Sequence, residues 1–269
     1  DRALACLMES DLEQALVIAR ELDAANDERK QVGLEIAAAA LEEIEASFDA
    51  TDTFAIVAGR EGWHPGIVGI VASRVAKRFH RPTVIIGIDQ DGKGKGSCRG
   101  VPGFDLVAGL AQADDYLNKY GGHKMAAGLE IDAEHIPAFR ERLNAVAKEM
   151  FGGVPPNPVL KIDSWLETDD LTIDMVDAIE RLRPFGQGNA TPVWACRDVV
   201  VEDTREVGDG HLKLNLLSGE RAFKAIGFNM FEREVPDRID IAFELKRNVY
   251  RGTTSLELVL QDFRSSEAV

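Results

Sequence analysis

Two glycines, an imidazole, then two alanines and a third glycine make up Gly121-Gly122-His123-Lys124-Met125-Ala126-Ala127-Gly128. Glycine lets a backbone approach a ligand closely or take positive φ, and free backbone N–H groups in a tight turn bind phosphate oxygens. A histidine beside them can donate to the same oxygens. The stretch therefore suits an anion site in which Gly121 and Gly122 supply backbone and His123 a side chain. Taken alone, it also suits a turn that leads into a strand and carries a surface histidine.

A second group of this kind is Lys95-Gly96-Ser97-Cys98-Arg99, at the end of the glycine-rich run 91–100. The run matches neither the G-x-x-x-x-G-K-[ST] phosphate loop nor the spacing of a dinucleotide fingerprint, and it reads as a hairpin. Ser97 offers a hydroxyl and Arg99 a planar fork of donors, which suits a terminal phosphate better than a point charge such as that of Lys95. Other chemistry is poorly supplied. Asp114 and Asp115 are adjacent, so on a helix they point about 100° apart and read as solvated rather than as a catalytic pair. His64, His80, His123, His135 and His211 are scattered, and no Asp-His-His occurs. Cys6, Cys98 and Cys196 form no C-x-x-C pair, so reduced cysteines are expected rather than a disulfide framework or a zinc site.

The net charge of −15 over 269 residues argues against a protein that coats nucleic acid indiscriminately. It leaves room for a local groove. Residues 1–58 carry 4 Lys or Arg against 14 Asp or Glu, whereas residues 59–104 carry 8 against 3, so basic charge gathers where phosphates would be met. No apolar run approaches the roughly 18 residues of a membrane span, no secretory signal is evident, and a cytoplasmic address is expected. The chain begins at Asp1, which suggests a piece of something longer.

These residues need elements to position them. A helix is expected from about Ser10, as cap, to Phe48, with Leu12, Leu16, Ala19, Leu22, Ile36, Leu41 and Ile44 inward. So charged a helix with so thin an apolar face reads as a connector, residues 1–50. Residues 51–151 read as an α/β domain. A strand at Phe54–Ala58, a helix from Pro65 to His80 with Ile67, Ile70, Val71 and Val75 inward, and a β-branched strand at Thr83–Ile88 form a βαβ unit. A helix is expected over Phe104–Tyr120 with Leu106, Leu110 and Leu117 inward, then a strand over Met125–Ile131 and a helix over Ile136–Met150. Residues 152–158, Gly-Gly-Val-Pro-Pro-Asn-Pro, read as a linker.

Residues 159–269 change texture. Strands are expected at Val159–Leu166, Val193–Glu202, His211–Leu217, Ala222–Phe228, Ile239–Lys246 and Ser255–Phe263, with one helix at Thr172–Arg183. Such a set suggests a closed or partly closed barrel. Phe223, Phe228, Phe231, Tyr250 and Trp194 are aromatic candidates for base stacking, beside Lys213, Lys224, Lys246, Arg247 and Arg251. At alternate strand positions most aromatics are core, so none is singled out.

Gly-Gly-His-x-x-Ala-Ala-Gly at residues 121–128 resembles the signature of the DHH-associated domain of DHH-family phosphoesterases. Residues 61–74 (Glu-Gly-Trp-His-Pro-Gly-Ile-Val-Gly-Ile-Val-Ala-Ser-Arg), Lys95–Arg99, Pro102–Leu106, and Pro184–Asn189 with Pro192 extend the likeness in order along almost the whole chain. Together they resemble the RecJ family of single-strand-specific 5′ to 3′ DNA exonucleases. Asn26-Asp27-Glu28-Arg29 is similar to an Asn-x-x-Arg pattern on that family's connector helix, although Arg29 also reads as a residue on a solvated face.

The resemblance implies an α/β DHH-associated domain after a long connector helix, then an oligonucleotide-binding (OB) barrel. It implies that Ser97 and Arg99 hold the 5′ end of single-stranded DNA and that Lys95, Asn26 and Arg29 also bind the substrate. His123, backed by Gly121 and Gly122, would reach the scissile phosphate. The family's Mn²⁺ or Mg²⁺ ligands lie in an N-terminal DHH domain upstream of Asp1, so no metal is expected here and these residues alone are expected to be inactive. The implied role is DNA repair and recombination, with single-strand binding protein and a helicase as partners. Two alternatives remain: a non-catalytic single-strand-binding or replication-scaffold module of the same superfamily, and a more distant RNA-directed member.

Overall fold

The computed structural model describes residues 1–250 and 252–266, which fall into two compact units, Asp1–Pro158 and Val159–Val269. Arg251 lies outside the described residues, as does the side chain of Tyr250.

The first unit begins with α1 (Arg2–Met8) and the 34-residue α2 (Leu12–Glu45). Asp11, not Ser10, caps α2, its carboxylate accepting from the Glu13 and Gln14 N–H groups at 2.8 and 3.2 Å. Ile36 and Ile44 are buried as expected, but Leu12, Leu16 and Ala19 are exposed. The early half of α2 runs beside α1, and Ile18, not the expected residues, is its buried position.

Next come β1 (Ile56–Glu61), α3 (Pro65–Phe79) and β2 (Thr83–Ile88), a parallel βαβ unit as the β-branched runs required. Pro65 starts α3 behind His64, whose Nδ1 accepts from the Gly66 N–H at 3.0 Å. Then follow β3 (Lys93–Arg99), the short α4 (Leu106–Ala111), β4 (Lys119–His123), β5 (Ala126–Asp132) and α5 (Ile136–Met150). The sheet order is β1-β2-β3-β5-β4, antiparallel from β2 onward. One face, with Val57, Val84, Ile86, Cys98, Leu129 and Ile131, packs in a core with residues of α4 and α5; the other, with Ile56, Ala58 and Ile85, packs with α2 and α3.

The glycine-rich run 91–100 holds the end of the turn and the second strand of a β2-β3 hairpin, and that strand is central in the sheet. The expected helix over Phe104–Tyr120 stops at Ala111, leaving Lys119–His123 as a strand. Glycine reads as a breaker when only sequence is considered. In place, a Cβ at Gly94 or Gly96 would lie 2.8 Å from Ile86 or Leu129, so crowding on the core face excludes larger residues. Ile70, expected inward on α3, is 37% exposed.

The second unit holds β6 (Ser164–Trp165), α6 (Ile173–Glu180), β7 (Trp194–Val207), β8 (His211–Ser218), β9 (Arg221–Gly227), β10 (Arg238–Tyr250) and β11 (Thr253–Ser265). Pairing runs β7-β8-β9-β11-β10 and back to β7, with β9 and β11 parallel and the other pairs antiparallel. This closes a five-stranded barrel filled by Leu212, Leu214, Leu216, Ala225, Ile239, Phe243 and Leu260. The strand expected over Val159–Leu166 shrinks to the two residues of β6, which pair with β7.

Asp240, 7% exposed, ties the end of the barrel. Its carboxylate accepts from the Asp198 N–H, the Arg264 guanidinium and Ser266 Oγ, at 3.0–3.1 Å. Burial alone would raise its pKa, but these donors outweigh it and hold the group below the usual carboxylate range. A depressed folded pKa gives stability that is present above the unfolded value, about 3.9, and is lost as pH falls through the folded one. Asp240→Ala should therefore lower barrel stability at neutral pH by about 1–3 kcal/mol, the cost of leaving buried donors unpaired, and flatten its acid dependence below about pH 4. Urea unfolding monitored at Trp165 and Trp194 across pH 3–7 checks both.

Candidate functional site

Opposed residues in adjacent strands share a face, and alternate residues along a strand return to it. The register sets Arg99 opposite Ala126 and Ala126 opposite His123; one step along, Ser97 faces Gly128 and Gly128 faces Gly121. Lys95, Glu130 and Lys119 form the next row. Ser97, Arg99, Lys95, Gly121 and His123 therefore stand on one face. It is the face opposite to Cys98, Ala127, Leu129 and Ile131, which go to the core. With strands about 4.8 Å apart, the Arg99 and His123 backbones lie about 10 Å from each other. Between them the floor carries only Ala126, Gly128 and Gly121, all exposed and with no side chain beyond a methyl.

His123 is exposed and ends β4. The turn is Lys124-Met125, so Gly121-Gly122-His123 belongs to a strand and is not itself the turn. Outside the sheet, the Met125 carbonyl accepts from the Gly100 N–H at 2.9 Å and the Lys124 carbonyl from the Leu106 N–H at 3.0 Å, which fixes the turn. The two glycines have different reasons. Gly122 has φ +146°, and a Cβ there would lie 2.5 Å from Ala127 Cα, so no other residue fits. At Gly121 a Cβ would meet nothing, and the missing side chain leaves the face bare.

Arg99 is half-buried beside α3. Its Nε donates to Ser73 Oγ at 2.9 Å, and its Nη1 donates to Ser97 Oγ at 2.9 Å and the Cys98 carbonyl at 2.8 Å. Among the described residues no carboxylate lies within ion-pair distance of it. A fixed, uncompensated guanidinium at the edge of a bare surface attracts an anion. Cys98 points the other way, and burial pushes its thiol up to about 12, so it supplies no thiolate.

Asn26 and Arg29 lie elsewhere in this unit. Arg29 Nη2 donates to Asn26 Oδ1 at 2.8 Å, and Arg29 lines a hollow of 310 Å³ with Ala25, Val32, His64, Gly66 and Ile67. No hydrogen bond joins this pair to the Arg99 group among the described residues. Asp114 and Asp115 are exposed, as expected.

The barrel's candidate cations are mostly neutralised. Lys213 lies 3.9 Å from Glu257, Lys246 lies 3.0 Å from Glu244, and Arg247 pairs with Asp177. Phe223 is core, whereas Phe228 and Phe231 are 52% and 40% exposed, Phe228 edge-on to His211. Sequence reasoning passed over Ser73 and Gly69, which touch the Arg99 group from α3. The one sequence signal for them was a glycine set inside an apolar helical pattern.

Residues 52–149 match the family described as the DHHA1 domain, and residues 162–262 match the RecJ OB domain. The two units are thus a DHH-associated α/β domain, preceded by a long helix, and an OB-fold barrel. Over these two domains the chain is RecJ-like. It is 35% identical over 274 residues to the single-stranded-DNA-specific exonuclease RecJ of Bacillus subtilis, covering 99% of this chain and 35% of that one. The RecJ of Dickeya dadantii is 32% identical, with 95% and 46% covered. The crystal structure of Thermus thermophilus RecJ in complex with Mg²⁺ superposes with a TM-score of 0.82 at 28% identity, covering 99% of this chain and 41% of that one. Its complex with Mn²⁺ gives the same TM-score. The chain thus spans between about a third and a half of the length of the curated relatives it matches.

Those structures hold a divalent metal, and the residues here do not fit one. Among the described residues no group of three or more His, Cys, Asp or Glu is placed to hold a metal ion. No described helix is long and apolar enough to cross a membrane.

Proposed function

We propose that this chain is the substrate-gripping part of a 5′ to 3′ exonuclease acting on single-stranded DNA in repair and recombination. Ser97 and Arg99 hold the 5′ phosphate, with Lys95 adding charge. His123 donates from its imidazole to the scissile phosphate, over the bare backbone of Gly121 and Gly122. Asn26 and Arg29 meet the strand from α2. Hydrolysis belongs to Mn²⁺ or Mg²⁺ held by a DHH domain outside these 269 residues, and single-strand binding protein and a repair helicase are the partners in the cell. The OB barrel carries more of the strand.

The observation that carries this reading is the shared face: a guanidinium without a carboxylate partner among the described residues beside a hydroxyl on β3, an exposed imidazole on β4, and a floor with no side chain beyond a methyl between them. Backbone phosphates can lie flat on such a floor, and the donors sit at its two borders. Nucleobases meet few side chains there, which fits a grip without sequence preference. A non-catalytic single-strand-binding module would use the same face, so the activity of the whole protein separates the two.

Two measurements test the proposal. The chain should bind a 5′-phosphorylated oligodeoxynucleotide roughly tenfold to a hundredfold more tightly than its 5′-hydroxyl twin, the scale of one charge-assisted contact; equal affinities contradict the 5′-end assignment. The purified chain with added Mn²⁺ or Mg²⁺ should release no nucleotides from either strand. Metal-dependent release by a nuclease-free sample would place catalytic groups within this chain.

A further inference from the structure

We infer that Ser73 and Gly69, one turn apart on α3, set the phosphate selectivity of this face by dictating which edge of the Arg99 guanidinium remains for a ligand. The inference rests on the reading of the face as a phosphate grip.

A guanidinium has five N–H donors, one on Nε and two on each Nη. Ser73 Oγ takes the Nε donor, and Ser97 Oγ with the Cys98 carbonyl takes both on Nη1. Only the pair on Nη2 is left. Ser73 is held in its accepting role, because its own hydroxyl donates to the Gly69 carbonyl at 2.9 Å and its lone pairs are left for Arg99. Ser97 likewise accepts from Nη1, which frees its O–H to donate outward. Among the described residues two N–H groups and one O–H therefore meet with no acceptor of their own, a set matched to the oxygens of a tetrahedral oxyanion such as a phosphate monoester.

The space in front of those donors exists because residue 69 is glycine. A Cβ built there lies 3.1 Å from Arg99 Nη2 and 3.1 Å from Ser97 Oγ, so a methyl group would push both donors aside by a few tenths of an ångström. A methyl would stand where the oxyanion must come. Helix stability does not ask for glycine at this position, since alanine is the better helix former. Gly69 stands here against that preference, and the crowded neighbours are the two donors of the site. Ser73 never reaches the ligand; it is a positioning residue, and Gly69 supplies the opening.

The test uses the chain as it stands, with Ser73→Ala, Ser73→Thr, Gly69→Ala and Arg99→Ala. Two quantities are read: hydrogen exchange of the Arg99 Nε–H by NMR, assigned by its disappearance in Arg99→Ala, and the affinity ratio for 5′-phosphorylated over 5′-hydroxyl oligodeoxynucleotides. Ser73→Ala should speed Nε–H exchange and lower the ratio by about fivefold to tenfold, as loss of an orienting hydrogen bond implies, and Ser73→Thr, which keeps the γ-oxygen, should restore both. Gly69→Ala should leave the Nε–H protected and still lower the ratio. Exchange or ratio unchanged in Ser73→Ala overturns the inference. If Arg99→Ala removes a preference that Ser73→Ala and Gly69→Ala both keep, the phosphate grip stands and this inference alone fails. A wild-type ratio of one removes the grip and the inference with it.

Discussion

Arg81→Ala should destabilise the first unit by about 3–5 kcal/mol, because five backbone carbonyls lose a buried donor at once. Arg81 is 4% exposed, and among the described residues no carboxylate lies within ion-pair distance of it. Its Nε donates to the Thr53 carbonyl, its Nη1 to the Phe79, His80 and Pro156 carbonyls at 3.3, 3.1 and 2.7 Å, and its Nη2 to the Ala50 carbonyl at 3.0 Å. One side chain thus ties the end of α3, the loop before β1 and the stretch behind α5. Burial lowers its pKa, but guanidinium stays charged at neutral pH. Arg81→Lys should recover little of the loss, since one ammonium offers three donors from a single point. Urea unfolding of the isolated variant measures the effect; a loss below about 1 kcal/mol would mean that water replaces the guanidinium at these carbonyls.

Arg99→Ala should cost about 1.5–3 kcal/mol of affinity for a 5′-phosphorylated strand, roughly tenfold to more than a hundredfold, and almost none for the 5′-hydroxyl strand. Arg99→Lys should recover charge without the pairing to Ser73, Ser97 and Cys98, and so should restore salt-dependent binding without end preference. Fold stability should change less than affinity, since Arg99 packs at the border of the sheet rather than in either core. Titration calorimetry with the two oligodeoxynucleotides reads both expectations. Equal losses for the two ends would make Arg99 a general phosphate contact and move the end pocket elsewhere.

The βαβ unit was plain in the sequence because side-chain pattern carries it: continuous β-branched residues at Thr83–Ile88, Pro65 at a helix start, and Arg81-Pro82 at its end. β3 and β4 were hidden because glycine carries no such pattern. Lys-Gly-Lys-Gly-Ser-Cys-Arg does alternate, with Gly94, Gly96 and Cys98 toward the core and Lys95, Ser97 and Arg99 away from it, but a crowded face of glycines looks like a loop when its neighbours are unknown. Leu106, Leu110 and Leu117 continued a helical period beyond the true end of α4. The barrel strands were found but drawn short. The far ends of β7, β10 and β11 are polar and held by ladder pairing across their hairpins, which composition does not reveal.

The site was legible as residue types and not as an arrangement. Ser97, Arg99, Gly121 and His123 could be named from what their groups offer a phosphate. That they share one face follows from strand register, and register between β3, β5 and β4 was not available while both outer strands were read as something else. Ser73 and Gly69 needed more still, because their part is played through Arg99, and a helix-to-strand contact leaves no mark in local spacing. Asn26 and Arg29 were named with the same group; Arg29 lines a hollow with His64, Gly66 and Ile67 of α3 and its cap and donates to Asn26.

The decisive measurement is a ¹H–¹⁵N titration of the chain with a 5′-phosphorylated oligothymidylate, following backbone and Arg side-chain signals. The account predicts the largest shifts at Ser97, Arg99, Gly121, His123 and Gly128, including the Arg99 side chain, with the 5′-hydroxyl strand losing the shifts at Ser97 and Arg99. Shifts gathered on α5 or around the Asp240 end of the barrel, with the β3-β5-β4 face silent, would contradict it.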